Sequence, residues 1–187
     1  MDFSDDNIQR ELLKNNKEPH THCSDCNKSL QNELYHVEQF YARTSLDEET
    51  KLIFGYAMCN DCRGGFAKKI SAETLKNIEK FKESFSHLQD ELLVQLEHPF
   101  GDSDFPPIEN CTFKGTSINK MKEYQISALF WGQNQAAKAI VYGEDFMKEF
   151  EHCLSEETRD ELDDFFNRIV DLPPSLKEIL EDKVLIF

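Results

Sequence analysis

Two runs of strand-forming residues, 33–43 and 51–58, lie in the first third of this 187-residue chain. In the second run Leu52 and Phe54 fall on one face and Ile53 on the other. This alternation with a period of two residues is typical of a half-buried strand. The seven residues between the runs are mostly polar. The pattern therefore predicts a β-hairpin.

Helical periodicity is found on both sides of this hairpin. Residues 3–17 are predicted to form a short helix that Ser4 caps. A longer helix is predicted to begin at Ser71 and to end before Pro99, because proline cannot continue the hydrogen-bond ladder. Its apolar stripe recurs every three or four residues and consists of Leu75, Ile78, Phe81, Phe85, Leu88, Leu92 and Leu96.

The last part of the chain also begins with strands. Residues 123–131 and 139–142 are predicted to be strands joined by a turn at 132–135. Trp131 and its aromatic neighbours are assigned to the core. No internal repeat is evident in the sequence.

Three helices are predicted after these strands. The first begins at Glu144, the second follows a Ser155 cap, and the third begins at Ser175 after Pro173 and Pro174. The second has the cleanest amphipathic pattern of the chain, formed by Leu162, Phe165, Phe166, Ile169 and Val170.

The strongest chemical signal is a pair of C-x-x-C motifs, Cys23/Cys26 and Cys59/Cys62. Two residues between cysteines let a tight turn point both sulfurs inward, at the ~2.3 Å that a zinc thiolate needs. Two such turns complete a tetrahedron. The 32-residue spacer exceeds the common spacing, and the predicted hairpin accounts for its length. One Zn²⁺ per chain is expected, and a four-cysteine iron site fits the same spacing.

The order of knuckle, hairpin, second cysteine pair and helix resembles a treble-clef zinc finger or a related zinc ribbon over about residues 20–85. The resemblance implies a structural metal and no particular activity, since such modules serve in nucleases, ribosomal proteins and protein-binding domains. We therefore expect an α+β protein with a zinc-binding module over 1–98, a proline-rich linker over 99–110 and an acidic α+β region over 111–187.

Other readings of the cysteines are weaker. A disulfide pair does not suit the cytoplasmic location expected from the acidic amino terminus, which lacks an apolar signal segment. A thioredoxin-like motif needs one C-x-x-C in a βαβ unit. His20 or His22 could replace a cysteine ligand. The residues Lys28, Arg63, Lys68 and Lys69 are candidates to offset the charge of the cluster, or simply to form a solvated face.

The formal charge is −15, and most of it lies after residue 70. Such a surface repels polyanions and anionic membranes, so nucleic-acid and membrane partners are not expected. From Glu144 onward the chain has 14 acidic and 5 basic residues. Either this excess keeps the protein dispersed, or it docks a basic protein partner.

Other candidate sites fail on composition or geometry. An HNH nuclease site needs a hairpin histidine together with an asparagine and a second histidine that bind metal, whereas His36 is the only histidine of the hairpin and His87 is distant. The segment 101–104 lacks the later ligands of a calcium loop. Cys111 and Cys153 are expected to be small buried residues. His152 and Cys153 are adjacent, so on a helix they point about 100° apart and cannot form a dyad.

The leading hypothesis is a non-enzymatic, zinc-stabilised protein that binds other proteins. An enzyme or nucleic-acid-associated protein with an unrecognised active site is the first alternative. A metal- or redox-responsive regulator that uses the same thiolates is the second.

Overall fold

The computed structural model describes residues 20–86, 88 and 108–169, together with the backbone of 14–15 and 18–19. Within these residues the elements are, in chain order, β1 Lys14–Asn15, β2 Glu18–Pro19, β3 Leu34–Ala42, β4 Lys51–Cys59, α1 Asn60–Ala67, α2 Ala72–Glu83, a 3-10 turn Ile118–Lys120, β5 Glu123–Trp131, β6 Asn134–Gln135, β7 Ile140–Gly143, α3 Glu144–Glu151 and α4 Glu156–Ile169. The predicted α+β class is confirmed. None of the described helices is long and apolar enough to cross a membrane.

Strand β3 is at the centre of the main sheet. It pairs antiparallel with β4 on one side and with β5 on the other. The sheet order is β4-β3-β5-β6, and β7 also pairs with β5. The regions before and after the predicted linker therefore contribute strands to one sheet. The linker at 99–110 lies mostly outside the described residues and stays a prediction.

The predicted helix over 3–17 needs correction at its end. Residues Lys14–Asn15 are extended and pair antiparallel with Glu18–Pro19. Asparagine competes with the helical backbone for hydrogen bonds and favours turns, so Asn15 is a poor helix residue. The remainder of the predicted helix lies outside the described residues, as does the one predicted from Ser175.

The predicted long helix is shorter than its apolar stripe indicates. The helix begins where predicted, since Ser71 is the N-cap of α2 and its hydroxyl accepts a hydrogen bond from the backbone N–H three residues on, at 3.0 Å. The helix ends at Glu83. Phe85 then packs against Phe113 and Phe146, with ring centroids 5.4 and 5.5 Å away. The stripe beyond residue 88 lies outside the described residues.

The end of β5 differs from the prediction in two ways. Trp131, which the sequence assigns to the core, is 42% exposed because it is the last residue of the strand. The turn is also tighter than predicted, since Trp131 pairs with Asn134 and only Gly132 and Gln133 connect them. Gly132 has a φ of 57°, and a Cβ there would lie 2.6 Å from the Gln31 carbonyl oxygen, so glycine is required.

The described chain consists of two halves with the same order of elements, β3-β4-α1-α2 and β5-β7-α3-α4. Helices α2 and α4 begin side by side, with the Ser71 and Ser155 hydroxyl oxygens 2.8 Å apart. The Ser71 N–H donates to Thr158 Oγ1 at 3.1 Å, and the Ser155 N–H donates to Thr74 Oγ1 at 2.8 Å. This reciprocal contact indicates an approximate twofold relation between the halves. The prediction that the chain contains no internal repeat therefore needs correction.

The helices of one half pack on those of the other. Phe81 of α2 contacts Phe150 of α3, with ring centroids 6.0 Å apart. Phe165 of α4 contacts Phe66 of α1, with ring centroids 4.9 Å apart. The second helix of each half therefore covers the first helix of the other, and residues of both halves form one hydrophobic core.

A carboxyl group is buried at the centre of the sheet. Glu38 is 2% exposed and accepts hydrogen bonds from the Gln125 amide at 2.9 Å and the Ser127 hydroxyl at 2.7 Å. Burial raises the pKa of Glu38 to about 7, although the two hydrogen bonds and the charge of Arg63 act in the opposite direction.

The groups around Glu38 respond to its charge. Burial, followed by the negative charge of Glu38, raises the pKa of both Tyr56 and Tyr142, while the positive charge of Arg63 lowers it. Burial and then Arg63 lower the pKa of the neighbouring His36 to about 3. Glu38 is therefore surrounded by neutral groups, with Arg63 as the charged group that acts on it.

Replacing Glu38 by glutamine is expected to remove part of the pH dependence of folding. The pKa of Glu38 is higher in the folded chain than the ordinary 4.5, so its contribution to stability is present below pH 4.5 and is lost as the pH rises to about 7. At roughly 1.4 kcal/mol per pKa unit, the loss is roughly 3 kcal/mol. Urea unfolding at pH 5 and pH 8 measures the free energy of unfolding of both proteins. From pH 5 to pH 8 the free energy of unfolding of Glu38→Gln should rise relative to that of wild type by about this amount.

Glu79→Gln is the matched control, because Glu79 is exposed on α2. It should leave the difference between pH 5 and pH 8 as in wild type. An equal pH dependence in wild type and Glu38→Gln would show that the pKa of Glu38 is not raised.

Candidate metal centre

The four cysteines expected to form one site are brought together by the fold. The Sγ atoms of Cys23, Cys26, Cys59 and Cys62 all lie within 4.8 Å of one another. The Cys26 and Cys59 sulfurs are 3.8 Å apart. A tetrahedral ion with metal–sulfur bonds near 2.3 Å holds its sulfurs about 3.8 Å apart. The four cysteines are therefore positioned to bind a metal ion.

The first pair lies in a tight loop that is fixed to the edge of the sheet. Within the loop, the Asn27 N–H donates to the Cys23 carbonyl at 2.9 Å, and Asn27 has a φ of 59°, which asparagine tolerates. Ser24, a residue to which the sequence analysis gives no role, anchors the loop. Its N–H donates to the Ala57 carbonyl at 2.8 Å, and its hydroxyl accepts from the Ala57 N–H at 3.2 Å.

The second pair lies where β4 passes into α1. Cys59 is the last residue of β4 and the N-cap of α1, and Cys62 lies in the first turn of the helix. The Cys59 N–H donates to Cys23 Sγ at 3.4 Å. The N-terminus of a helix favours negative charge, so this is a suitable place for thiolate ligands. Because Cys59 ends the second strand of the hairpin, the position of this pair relative to the first pair can be predicted only once the hairpin has been recognised.

The electrostatics of the cluster differ between the cysteines. For Cys23 burial raises the pKa, but hydrogen bonds from the backbone N–H groups of Cys26, Cys59 and Asp25 outweigh burial and lower it. For Cys59 burial raises the pKa, and this effect outweighs the hydrogen bonds with Cys62, which lower it. For Cys62 burial, followed by hydrogen bonding to the thiols of Cys26 and Cys59, raises the pKa. A bound cation would instead lower the pKa of Cys59 and Cys62, because a thiol that coordinates a metal is deprotonated.

The two candidate histidines are not part of the four-ligand group. Among the described residues, that group consists of the four cysteines. His20 is largely buried, and burial lowers its pKa to about 4. His22 is exposed, and its Nδ1 lies 3.0 Å from the hydroxyl of Thr21.

The basic residues near the cluster contact carboxylates. Lys28 Nζ lies 2.9 Å from Glu33 and 3.5 Å from Asp61. Lys69 Nζ lies 2.6 Å from Glu161 on α4. Arg63 acts on the buried groups of the sheet, as described above, and Lys68 is exposed. Their predicted role in offsetting the charge of the thiolates stays a prediction.

The other candidate chemistries gain no support from the described residues. Cys111 and Cys153 are buried, as predicted. His152 is exposed whereas Cys153 is buried, so the two do not form a dyad. His87 and the segment 101–104 lie outside the described residues.

The chain matches no protein-family model, no curated protein and no solved structure. Its function has to be argued from its own residues.

Cys62→Ser is expected to abolish metal binding and to unfold the loop that carries Cys23 and Cys26. Structural zinc sites contribute about 10–16 kcal/mol of binding energy, which is as large as the about 5–15 kcal/mol of a typical folded chain. Elemental analysis should find about one ion per wild-type chain and close to none in the variant. Circular dichroism should show a lower melting temperature for the variant.

Cys153→Ser is the matched control, because Cys153 is also a buried cysteine but lies outside the cluster. It should retain the metal to the same extent as wild type. Equal metal content and equal melting temperatures in the two variants would exclude a metal site at Cys62.

Proposed function

We propose that this chain is a zinc-stabilised, non-enzymatic protein-interaction module. Residues 20–85 form a treble-clef-like unit in this proposal, with the metal joining the loop of Cys23 and Cys26 to the start of α1. The observation that carries it is the cluster of four sulfurs within 4.8 Å. Four thiolates fill a tetrahedral site and leave no position for water or substrate, which is typical of structural zinc.

Zinc is proposed over iron on chemical grounds. Zn²⁺ has no redox chemistry and no geometric preference of its own, so it accepts the tetrahedron that two C-x-x-C turns impose. Backbone N–H groups, among them that of Cys59 at 3.4 Å, donate to the sulfur of Cys23 and favour its thiolate form. Elemental analysis of the purified chain identifies the metal directly.

The proposed docking surface is the outer side of α4, which we call the acidic face. Its exposed residues are Glu156, Glu157, Asp160, Asp163 and Asp164. Helix α4 has six acidic and two basic residues, whereas α2, its counterpart in the other half, has three of each. The two halves therefore present helices of the same placement and different charge.

The contrast is sharpest at equivalent positions of the two helices. Counted from the serine caps, Lys76 and Lys80 of α2 correspond to Asp160 and Asp164 of α4, and all four side chains are exposed. Burial, followed by the charges of Asp160 and Asp164, raises the pKa of Asp163. Repulsion within this face would be relieved by a basic partner, and such complementarity steers association.

Reversing charge on the acidic face is expected to abolish binding of a basic partner. Asp160→Lys with Asp164→Lys gives α4 the residues of α2 at these positions. The metal-loaded protein is immobilised and exposed to an extract of its source cells, and captured proteins are eluted with rising salt. A set of basic proteins should be captured by wild type and lost with the double variant, since screening weakens such contacts.

Glu79→Lys with Glu83→Lys on α2 is the matched control, because it changes the net charge by the same amount at exposed positions of the equivalent helix. It should retain the captured set. If the acidic-face variant captures the same proteins as wild type, the acidic face is not a docking surface.

A redox-responsive regulator is the second candidate, and the exposure of Cys26 favours it. An accessible thiolate ligand next to Cys59 Sγ, 3.8 Å away, is suited to oxidation to a disulfide with release of the metal. In that case mild oxidation with diamide should release the metal from a chain that stays folded, and dithiothreitol with zinc should restore it. Release only together with unfolding would support a purely structural metal.

A further inference from the structure

We propose that residues 108–169 are a second copy of the metal-binding unit, in which an aromatic core has replaced the metal. Two segments carry the first comparison. The first loop is residues 22–30, which hold Cys23 and Cys26, and the second loop is residues 110–118, which hold Cys111. Each position in the second loop is 88 residues after its counterpart.

The two loops have the same internal hydrogen bonds. The Cys23 N–H donates to the carbonyl five residues on at 2.8 Å, and the Cys111 N–H does so at 2.7 Å. The carbonyls of Cys23 and Cys111 accept from Asn27 and Gly115, both at 2.9 Å. Those two residues have positive φ angles of 59° and 67°. Each loop is also closed by a one-residue bridge, His22–Ser29 in the first and Asn110–Ser117 in the second.

The two loops are fixed to their sheet edges in the same way. In the first, Ser24 donates its N–H to the Ala57 carbonyl and accepts the Ala57 N–H with its hydroxyl, at 2.8 and 3.2 Å. In the second, Thr112 makes both bonds to Val141, each at 2.9 Å. A hydroxyl residue directly after the first cysteine is therefore required in both halves.

The junctions of strand and helix also correspond. The Cys59 N–H donates to Cys23 Sγ at 3.4 Å, and the Gly143 N–H donates to Cys111 Sγ at 3.4 Å. Cys59 and Gly143 are each the last residue of a strand and the N-cap of the next helix. Cys111 therefore makes the backbone contact of the first metal ligand without a metal cluster around it.

The helices that follow match at a constant offset of 84 residues. The runs 60–85 and 144–169 have six identical positions, which are Asp61/Asp145, Phe66/Phe150, Ser71/Ser155, Glu73/Glu157, Thr74/Thr158 and Phe81/Phe165. These include both serine caps and both threonines, each of which accepts a hydrogen bond from the serine of the other half. They also include the four phenylalanines that form the two ring contacts between the halves. Four of the six identical pairs are thus residues of the twofold contact.

At the metal itself the two copies differ. The counterparts of Cys23, Cys26, Cys59 and Cys62 are Cys111, Lys114, Gly143 and Phe146. One ligand of four is retained.

Aromatic rings occupy the place of the missing ligands. Phe146, the counterpart of Cys62, stacks on Phe113 of the second loop with ring centroids 4.1 Å apart. Phe85 and Tyr142 complete this cluster, with centroids 5.5 and 5.6 Å from Phe146. A Cβ at Gly143 would lie 2.8 Å from the sulfur of Met121, so Met121 fills the space of the missing cysteine side chain. A loop-to-helix contact that a metal makes in the first copy is made by apolar packing in the second.

Restoring the ligands tests the proposal. The variant Lys114→Cys, Gly143→Cys, Phe146→Cys also needs Met121→Ala to make room for the new side chain. The expected result is about one additional metal ion per chain relative to wild type, measured by elemental analysis of the full chain loaded with zinc. Adding Cys111→Ser to this variant should remove the additional ion.

The difference from wild type is the measured quantity, so the test does not depend on the proposed function. If wild type bound no metal, the proposed function would fail, while a gain of one ion in the variant would still support the duplicated site. A folded variant with no additional ion, or with one that survives Cys111→Ser, would overturn the proposal.

A reciprocal exchange decides the matter if the restored variant does not fold. Here Asp25→Phe, Cys26→Lys, Cys59→Gly and Cys62→Phe give the first copy the residues of the second. The control replaces Cys26, Cys59 and Cys62 by serine. With EDTA present, the reciprocal variant should melt at a higher temperature than the serine control. An equal or lower melting temperature would overturn the proposal.

Discussion

The pairing of β3 with β5 is the constraint on which the rest of the described fold depends. Nine residue pairs join these strands, and Glu38 and Ser127 form the central pair. Because the first strands of both halves meet here, the later helices cross to the opposite half. Phe165 therefore covers Phe66 beside the metal ligands. The same crossing brings Arg168 of α4 within 2.9 Å of Asp25, between the first two cysteines, so an ion pair joins the acidic helix to the loop that carries them.

Signals local to the sequence identified much of this arrangement. Alternation located the hairpin, the apolar stripe from Ser71 located α2, the Ser155 cap located α4, and the spacing of the C-x-x-C pairs located the cluster, because each depends on neighbouring residues. The end of α2 could not be predicted from the apolar stripe, because Phe85 packs in an aromatic cluster formed by residues distant in the sequence. The exposure of Trp131 depends on where the sheet ends, which its own side chain does not determine.

The repeat escaped sequence analysis for a different reason. The halves share backbone hydrogen bonds, which most side chains can satisfy, and most of the positions at which they are identical are those where a particular side chain is needed. Ser71 and Ser155 must cap a helix and contact each other, and Thr74 and Thr158 must receive the opposite N–H. Elsewhere charge has diverged freely, as at Lys76 and Asp160. Polar identity at a buried twofold contact is thus a better marker of duplication here than overall similarity.

The two copies solve one packing problem by two means. A loop attached to the edge of a strand must also be held against the helix that follows, or its backbone groups lie exposed at the end of the sheet. Four thiolates do this around a cation with little apolar volume, and they require deprotonated ligands and a supply of metal. Stacked rings such as Phe113 and Phe146 need neither a deprotonated ligand nor a metal, but they need a ring from the other half, and Phe85, just after the end of α2, provides it. In the first copy the position equivalent to Phe85 is Ile169, which has no ring to add, so a metal bound by the four cysteines would carry more of the cohesion there.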